Sequence, residues 1–206
     1  LDYNVGFYID RTRNTLVNFG STEKDGKVIR EEGLPYDSYY MLDCIGIFAT
    51  QEEIDNAPKQ YNDDTQPGDL RYRDTNNDGV INDDDRILIS GKYPNFEYGL
   101  NAGLNWNGFD VSLLTQGVAG TKSFIDYRWG LAPFFQGSAP TKDYVAGMWT
   151  EENPYNAKYP KIYFGTLGGT KNTRTNSYFL QNTSYFRLKN LTVGYTLPKV
   201  LTDKIH

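Results

Sequence analysis

Residues 95–117 read N-F-E-Y-G-L-N-A-G-L-N-W-N-G-F-D-V-S-L-L-T-Q-G. Taken two at a time, Phe96, Tyr98, Leu100, Ala102, Leu104 and Trp106 fall on one side, and Asn95, Glu97, Gly99, Asn101, Gly103 and Asn105 on the other. A period of two marks a strand, because successive side chains leave opposite faces of the backbone. Asn107-Gly108 then predicts a two-residue hairpin turn, since both central positions of a type I′ turn need positive φ. Beyond it Phe109, Val111, Leu113 and Thr115 resume the apolar side, while Asp110, Ser112 and Gln116 face away with Leu114 as the exception. So tight a turn sets Trp106 opposite Phe109 on one face.

The polar side of this hairpin is built of amides and glycines rather than lysines, and the apolar side begins and ends with aromatic rings. A strand between lipid and a wet lumen has this pattern. The rings match the headgroup belts of a bilayer, and each arm is about the 9–11 residues that a tilted spanning strand needs. A soluble sheet with one face on a core alternates in the same way, so the hairpin alone leaves both readings open.

The rest of the chain separates them. Hydrophobic residues make up 38% of the 206, and the mean hydropathy is −0.62. No apolar run approaches the length of a spanning helix, whereas an alternating barrel strand would show no such run in any case. With 17 Tyr, 11 Phe and 20 Gly, the composition fits an all-β chain with many turns. The net charge of −5 argues against a nucleic-acid partner. Cys44 is the single cysteine, which excludes a disulfide framework and reads as a small buried hydrophobe. His206 is the single histidine, which excludes a His-based triad or a multi-His metal site within these residues. The chain opens inside an alternating run at Leu1, with neither Met nor a leader, and reads as part of something longer.

In order, residues 1–10 form a strand in which Leu1, Tyr3, Val5, Phe7 and Ile9 alternate with Asp2, Asn4, Gly6, Tyr8 and Asp10. Residues 11–94 are a long polar excursion. Within it Lys24-Asp25-Gly26-Lys27 marks a turn, and Thr50-Gln51-Glu52-Glu53-Ile54 reads as a capping box opening a short helix that stops near Pro58. Residues 95–117 are the hairpin. Residues 118–183 are a second long excursion, with a short helix expected from a Thr141 cap to Trp149. Residues 184–198 are a strand, in which Leu191, Val193, Tyr195 and Leu197 alternate but Phe186 and Leu188 are out of phase, so a bulge is expected near Lys189-Asn190. Residues 199–206 are expected to be a turn and the start of the next strand. Barrels of the outer membrane have short periplasmic turns and long outer loops. On that rule Asn107-Gly108 is periplasmic and both excursions are extracellular, and the strand directions agree. The expected fold is thus all-β: part of a large transmembrane antiparallel β-barrel, with long extracellular loops carrying short helices.

Residues 74–85, D-T-N-N-D-G-V-I-N-D-D-D, follow the calcium-loop template, with Asp74, Asn76 and Asp78 at positions 1, 3 and 5, Gly79 at 6, the Val80 carbonyl at 7 and Asp85 at 12. A hard dication needs several oxygens at about 2.3–2.6 Å, and alternate side chains converge only where a residue such as Gly79 permits a sharp turn. Ile81 would anchor the loop to a core. An Asx-rich turn held by its own side-chain hydrogen bonds is the other reading, with Arg86 neutralising it in place of a metal. A catalytic carboxylate pair is a third, and carboxylates crowded into one tight loop more often serve an ion than flank a sugar bond.

Three stretches together resemble one family. These are Gly46-Ile47-Phe48 with Gln51-Glu52-Glu53-Ile54; Pro67 through Arg86 running on to Pro94-Asn95-Phe96-Glu97-Tyr98-Gly99 and Trp106-Asn107-Gly108-Phe109-Asp110; and Ser184 through Pro198. All three resemble the C-terminal barrel region of SusC/RagA-type TonB-linked outer-membrane transporters. The resemblance implies a signal, a plug and a TonB box outside these residues, residence in the outer membrane of a Gram-negative bacterium, and a SusD-like lipoprotein as a lid. It also implies TonB-driven import of oligosaccharide or peptide without catalysis. Glu97, Asn101, Asn105 and Gln116 would then face the lumen, and Tyr127, Trp129, Tyr144 and Trp149 are candidates either to stack on sugar rings or to pack within the loop. The alternative is a soluble secreted calcium-stabilised β-module that binds glycans.

Overall fold

Alternation becomes pairing in the computed structural model, which describes residues 1–61, 64–125, 139–163 and 172–203. In chain order its strands are β1 (Asp2–Asp10), β2 (Glu23–Asp25), β3 (Val28–Arg30), β4 (Ser38–Leu42), β5 (Cys44–Ile47), β6 (Leu70–Tyr72), β7 (Arg86–Ile89), β8 (Phe96–Trp106), β9 (Phe109–Ala119), β10 (Lys122–Phe124), β11 (Leu180–Asn182) and β12 (Tyr185–Tyr195). Short helices are α1 (Gln51–Asp55), α2 (Lys142–Gly147) and α3 (Lys199–Thr202). The chain divides into two units, one of Leu1–Asn14, Gly91–Ser123 and Asn182–His206, the other of Thr15–Ser90 and Phe124–Gln181.

The first unit is an open antiparallel sheet in the order β1-β8-β9-β12. Asn107 and Gly108 take φ of 48° and 87°, as a primed turn requires. The turn sets Trp106 opposite Phe109 and keeps β8 and β9 in register to Phe96 opposite Ala119. In β12 the register shifts between Leu188 and Asn190, so Lys189 is the extra residue of a bulge. The bulge brings Phe186 and Leu188 back onto the side of Leu191 and Val193.

Strand glycines weaken a sheet unless something covers the bare backbone. Here the residue directly opposite does so each time: Asn101 lies over Gly6, Asn4 over Gly103, Tyr8 over Gly99, Tyr98 over Gly117 and Asp110 over Gly194. Each glycine is the space its partner's side chain needs, so sheet and side chains fit as one layer.

The second unit is an ordinary globular assembly. β2, β3, β4 and β7 form one antiparallel sheet and β5 with β6 a second. Three clusters fill it: Leu42, Leu70, Tyr72 and Ile81; Val28, Tyr39 and Met41; and Tyr144 with Phe179. Burying such side chains contributes roughly 1.5–3 kcal/mol each. α1 has the expected Thr50 cap, whose Oγ1 accepts from the Glu53 amide. α2 is capped by Thr141 but ends at Gly147, because Met148 is already extended.

Two expectations need correction. The long excursions carry small sheets as well as short helices; three-residue strands such as Val28–Arg30 are too short to show a period. Residues 199–202, in the stretch expected to turn and then begin the next strand, form α3 with Pro198 before it, and residues 204–206 lie outside the described residues. Pro198 holds a φ of −58° that suits a helix entry, and Lys199-Val200-Leu201-Thr202 has no polar–apolar alternation to sustain a strand.

Candidate functional site

The first unit has two unlike faces. On one, pairing aligns Tyr3–Leu104–Val111–Val193, Val5–Ala102–Leu113–Leu191 and Ile9–Tyr98–Gly117–Phe186 into continuous apolar rungs. Val5 is 68% exposed, Phe7 66%, Leu191 56% and Val193 65%. A contiguous apolar surface on this scale marks an interface with protein or membrane. Aromatic pairs close both ends: Phe109 and Tyr195, 4.5 Å apart, beside the turn, and Tyr98 and Phe186, stacked at 6.1 Å, at the other. From Tyr98 to Trp106 the strand rises about 26 Å. The Thr115 hydroxyl sits within this face but is satisfied, accepting from the Leu100 amide at 3.0 Å and lying 3.2 Å from its carbonyl.

The other face is polar. Its rungs are Asp2–Asn105–Asp110–Gly194, Asn4–Gly103–Ser112–Thr192, Gly6–Asn101–Leu114–Asn190 and Asp10–Glu97–Val118–Tyr185. Glu97, Asn101, Asn105 and Gln116 lie here, as the alternation predicts. The carboxylates stand at the end rungs, and Arg187, opposite Gln116, brings a positive charge onto this face. Arg187 donates to Gln116 Oε1 at 3.1 Å and lies over the Tyr185 ring. At the end away from the turn, Thr12, Asn14, Tyr93, Pro94 and Glu97 line a hollow of about 240 Å³. The amides and hydroxyls of this face can hydrogen-bond a polar solute.

The acidic loop lies in the second unit and is knit by its own side chains. The Asp74 carboxylate accepts from the Asn77 and Gly79 amides, Asn76 Oδ1 from Asp78, and Asp78 Oδ1 from Val80. Gly79 at φ +85° and Asn77 at φ +60° make the turn. Val80 is exposed, and Ile81 is buried in a core cluster, as expected of the anchor. Asp85 is fully buried: its Oδ1 accepts from the Thr75 amide and hydroxyl, and its Oδ2 from the Asn82 amide. Two lone pairs per oxygen leave Oδ2 one free site and Oδ1 none. At positions 1, 3 and 5 the Asp74, Asn76 and Asp78 oxygens are already local acceptors, and position 12 has a single oxygen to give. Among the described residues no three Asp, Glu, His or Cys side chains group around one point. Arg86 pairs with Asp83 of the loop at 2.9 Å, which neutralises one of its carboxylates.

Tyr144 and Trp149 are buried, the first donating to the Pro160 carbonyl and the second to that of Ala49, so both pack within the unit. Tyr127 and Trp129 lie outside the described residues. Cys44 is half-buried, and burial pushes its thiol up to about 11. A buried polar knot was missed in the sequence: Asp69 accepts from Tyr163 and Asn172, and Asn172 accepts from the Leu70 amide 102 residues away. Desolvation raises the Tyr163 hydroxyl, and its hydrogen bond to Asp69 adds to this. Partners so distant in the chain leave no local spacing to read.

No family model matches the chain. Among curated proteins it is 28% identical over 198 residues to TonB-dependent receptor P26 and 27% over 179 residues to TonB-dependent receptor P3, both of Formosa agariphila. These alignments take in 96% and 85% of the chain but only 19% and 16% of the relatives, so the chain spans about a fifth of their length. Among solved structures it matches the RagAB peptide transporter with a TM-score of 0.62 at 21% identity, covering 97% of this chain and 20% of that one. The same transporter in its open-open state gives 0.62 at 20% identity. The chain thus combines an open two-faced sheet with the fold of RagAB and a likeness to TonB-dependent receptors that runs over nearly its whole length.

Proposed function

We propose that this chain is part of the wall and one mouth of an outer-membrane transporter. Its four long strands cross the bilayer with the apolar rungs against acyl chains and the polar rungs lining the passage. The single observation that carries the reading is the register: four strands gather most of their apolar residues on one exposed face, with no core against it in their own unit. A soluble glycan-binding module would have to seal that face. Both edges, β1 and β12, present unpaired backbone groups that neighbouring barrel strands would take up.

On this reading the Asn107-Gly108 turn is periplasmic, the second unit is extracellular, and a SusD-like lipoprotein covers that mouth. TonB acts through segments outside these residues. The cargo is a polar oligomer, an oligosaccharide or a peptide, met by amides and hydroxyls such as Asn101, Asn105, Ser112 and Thr192, and no covalent chemistry is asked of the wall. The name of RagAB as a peptide transporter favours the peptide within that pair. The test is fractionation of the full-length protein. It should appear in the outer membrane, require detergent, and run faster on gels unheated than boiled. A monodisperse protein in detergent-free buffer would refute the reading.

Calcium in residues 74–85 is an accompanying proposal. Asp74, Asn76, Asp78, the Val80 carbonyl and one oxygen of Asp85 would hold it, and the ion would stiffen the loop without taking part in transport.

A further inference from the structure

The apolar face ends differently at its two rims. Beside the turn it closes on Trp106, Phe109 and Tyr195. At the far rim the row Tyr3–Val5–Phe7–Ile9 continues into Arg11, whose guanidinium lies 5.2 Å from the centre of the Phe96 ring. Phe96 is the first residue of β8 and pairs with Ala119. Past the strand end Thr12 and Asn14 line the hollow with Glu97, and Arg13, which takes no part in that hollow, follows two residues after Arg11. Both arginines are exposed, and among the described residues neither forms an ion pair. The nearest carboxylates in sequence and register, Asp10 and Glu97, belong to the polar rungs, and Asp10 accepts from Thr12.

We infer that Arg11 and Arg13, with the Phe96 ring as a platform, form a site for the phosphate of a membrane lipid headgroup. The inference rests on the barrel reading and deepens it. An arginine at the end of a lipid-facing row sits at the headgroup level, with its stem against acyl chains and its fork at the interface. A guanidinium binds phosphate through two parallel hydrogen bonds, and stacking on Phe96 fixes its plane before the lipid arrives. The apolar rungs below supply the surface for the chains of the same molecule, which a free phosphate could not use. Charge at one rim and rings alone at the other would also fix the depth and direction of the segment in the bilayer.

The experiment is native mass spectrometry of the full-length protein in detergent, titrated with lipid A carrying both phosphates, with lipid A stripped of phosphate, and with inorganic phosphate. The parent should retain phosphorylated lipid A over the stripped form. Arg11→Gln and Arg13→Gln should each lower that retention about fivefold. Arg11→Lys should recover part of the loss. Binding of the stripped lipid should not change, and unheated gel mobility reports that each variant is folded. Equal retention by the folded parent and the double variant would overturn the inference while leaving the barrel intact. So would competition by inorganic phosphate at the concentration that lipid A itself requires. A parent that needs no detergent would remove the barrel reading and this site with it.

Discussion

The two units of this chain follow opposite solvent rules with the same alphabet. The strands of the first leave Tyr3, Val5, Phe7, Leu191 and Val193 open to their surroundings and bury little beyond glycine backbone, Thr115 and Val118. The second buries Met41, Leu42, Phe48, Ile81 and Phe179 completely or nearly so, and satisfies its inner polar groups through Asp69, Asn172 and Asn176. The difference teaches where each unit's stability comes from. A water-filled surrounding stabilises the second through hydrophobic burial. The first has no such core of its own, so on the proposed reading its ladders and its apolar face draw on lipid and on neighbouring strands.

The largest expected effect separates the two directly. Phe48 is fully buried, and Phe48→Ala should cost the loop unit about 3–5 kcal/mol. In the full-length protein, limited proteolysis within residues 15–90 should become rapid while unheated gel mobility stays that of a closed barrel. If both readouts fail together, the units are not independent in stability.

The reciprocal change lies at the middle of the apolar face. Leu191→Arg should destabilise the barrel by about 2–4 kcal/mol, because a charge near the bilayer midplane must be solvated by distorting the membrane. Thr192→Arg, one residue along on the polar face, should cost far less. Unfolding titrations of both variants in the same lipid give the contrast, and similar losses for the two would contradict the assignment of faces.

Calcium bears on the second unit alone. Calorimetric titration of chelator-treated protein should show binding that Asp78→Ala removes, and calcium should slow proteolysis near residues 74–85 without moving barrel stability. A flat titration of the parent would leave the loop as the Asx turn its hydrogen bonds already make.

The long strands were legible because their cause is local. A period of two over Phe96–Trp106, an Asn-Gly turn and a phase break at Lys189-Asn190 each act within a few residues. The identity of the faces followed from the same letters, since Asn, Gly and Gln alternated with rings. The second unit was not legible, and for a physical reason. Val28–Arg30, Leu70–Tyr72 and Arg86–Ile89 are too short to carry a period, and their partners are fixed by contacts such as Leu42 with Asn176. The acidic loop was half legible. Its spacing showed the turn, whereas the position-12 carboxylate proved to be spent largely on the Thr75 and Asn82 amides.

The smallest effect sharpens the comparison without touching stability. Cys44 is half-buried in the second unit, where desolvation is the main cause that raises its thiol to about 11. Only the thiolate attacks a maleimide or iodoacetamide, and a raised thiol holds its proton. At pH 8 native Cys44 should therefore react about two orders of magnitude more slowly than in denaturant, and its rate should climb roughly tenfold per pH unit as the medium approaches the thiol's own range. Val193→Cys is shielded for a different reason. Its thiol would stand on an open surface that only lipid covers, so a charged reagent should fail in membranes and succeed once detergent is exchanged, while Cys44 should be indifferent to that exchange. A charged reagent that labels Val193→Cys in intact membranes as fast as in denaturant would place the apolar rungs in water, and the two units would then obey one rule after all.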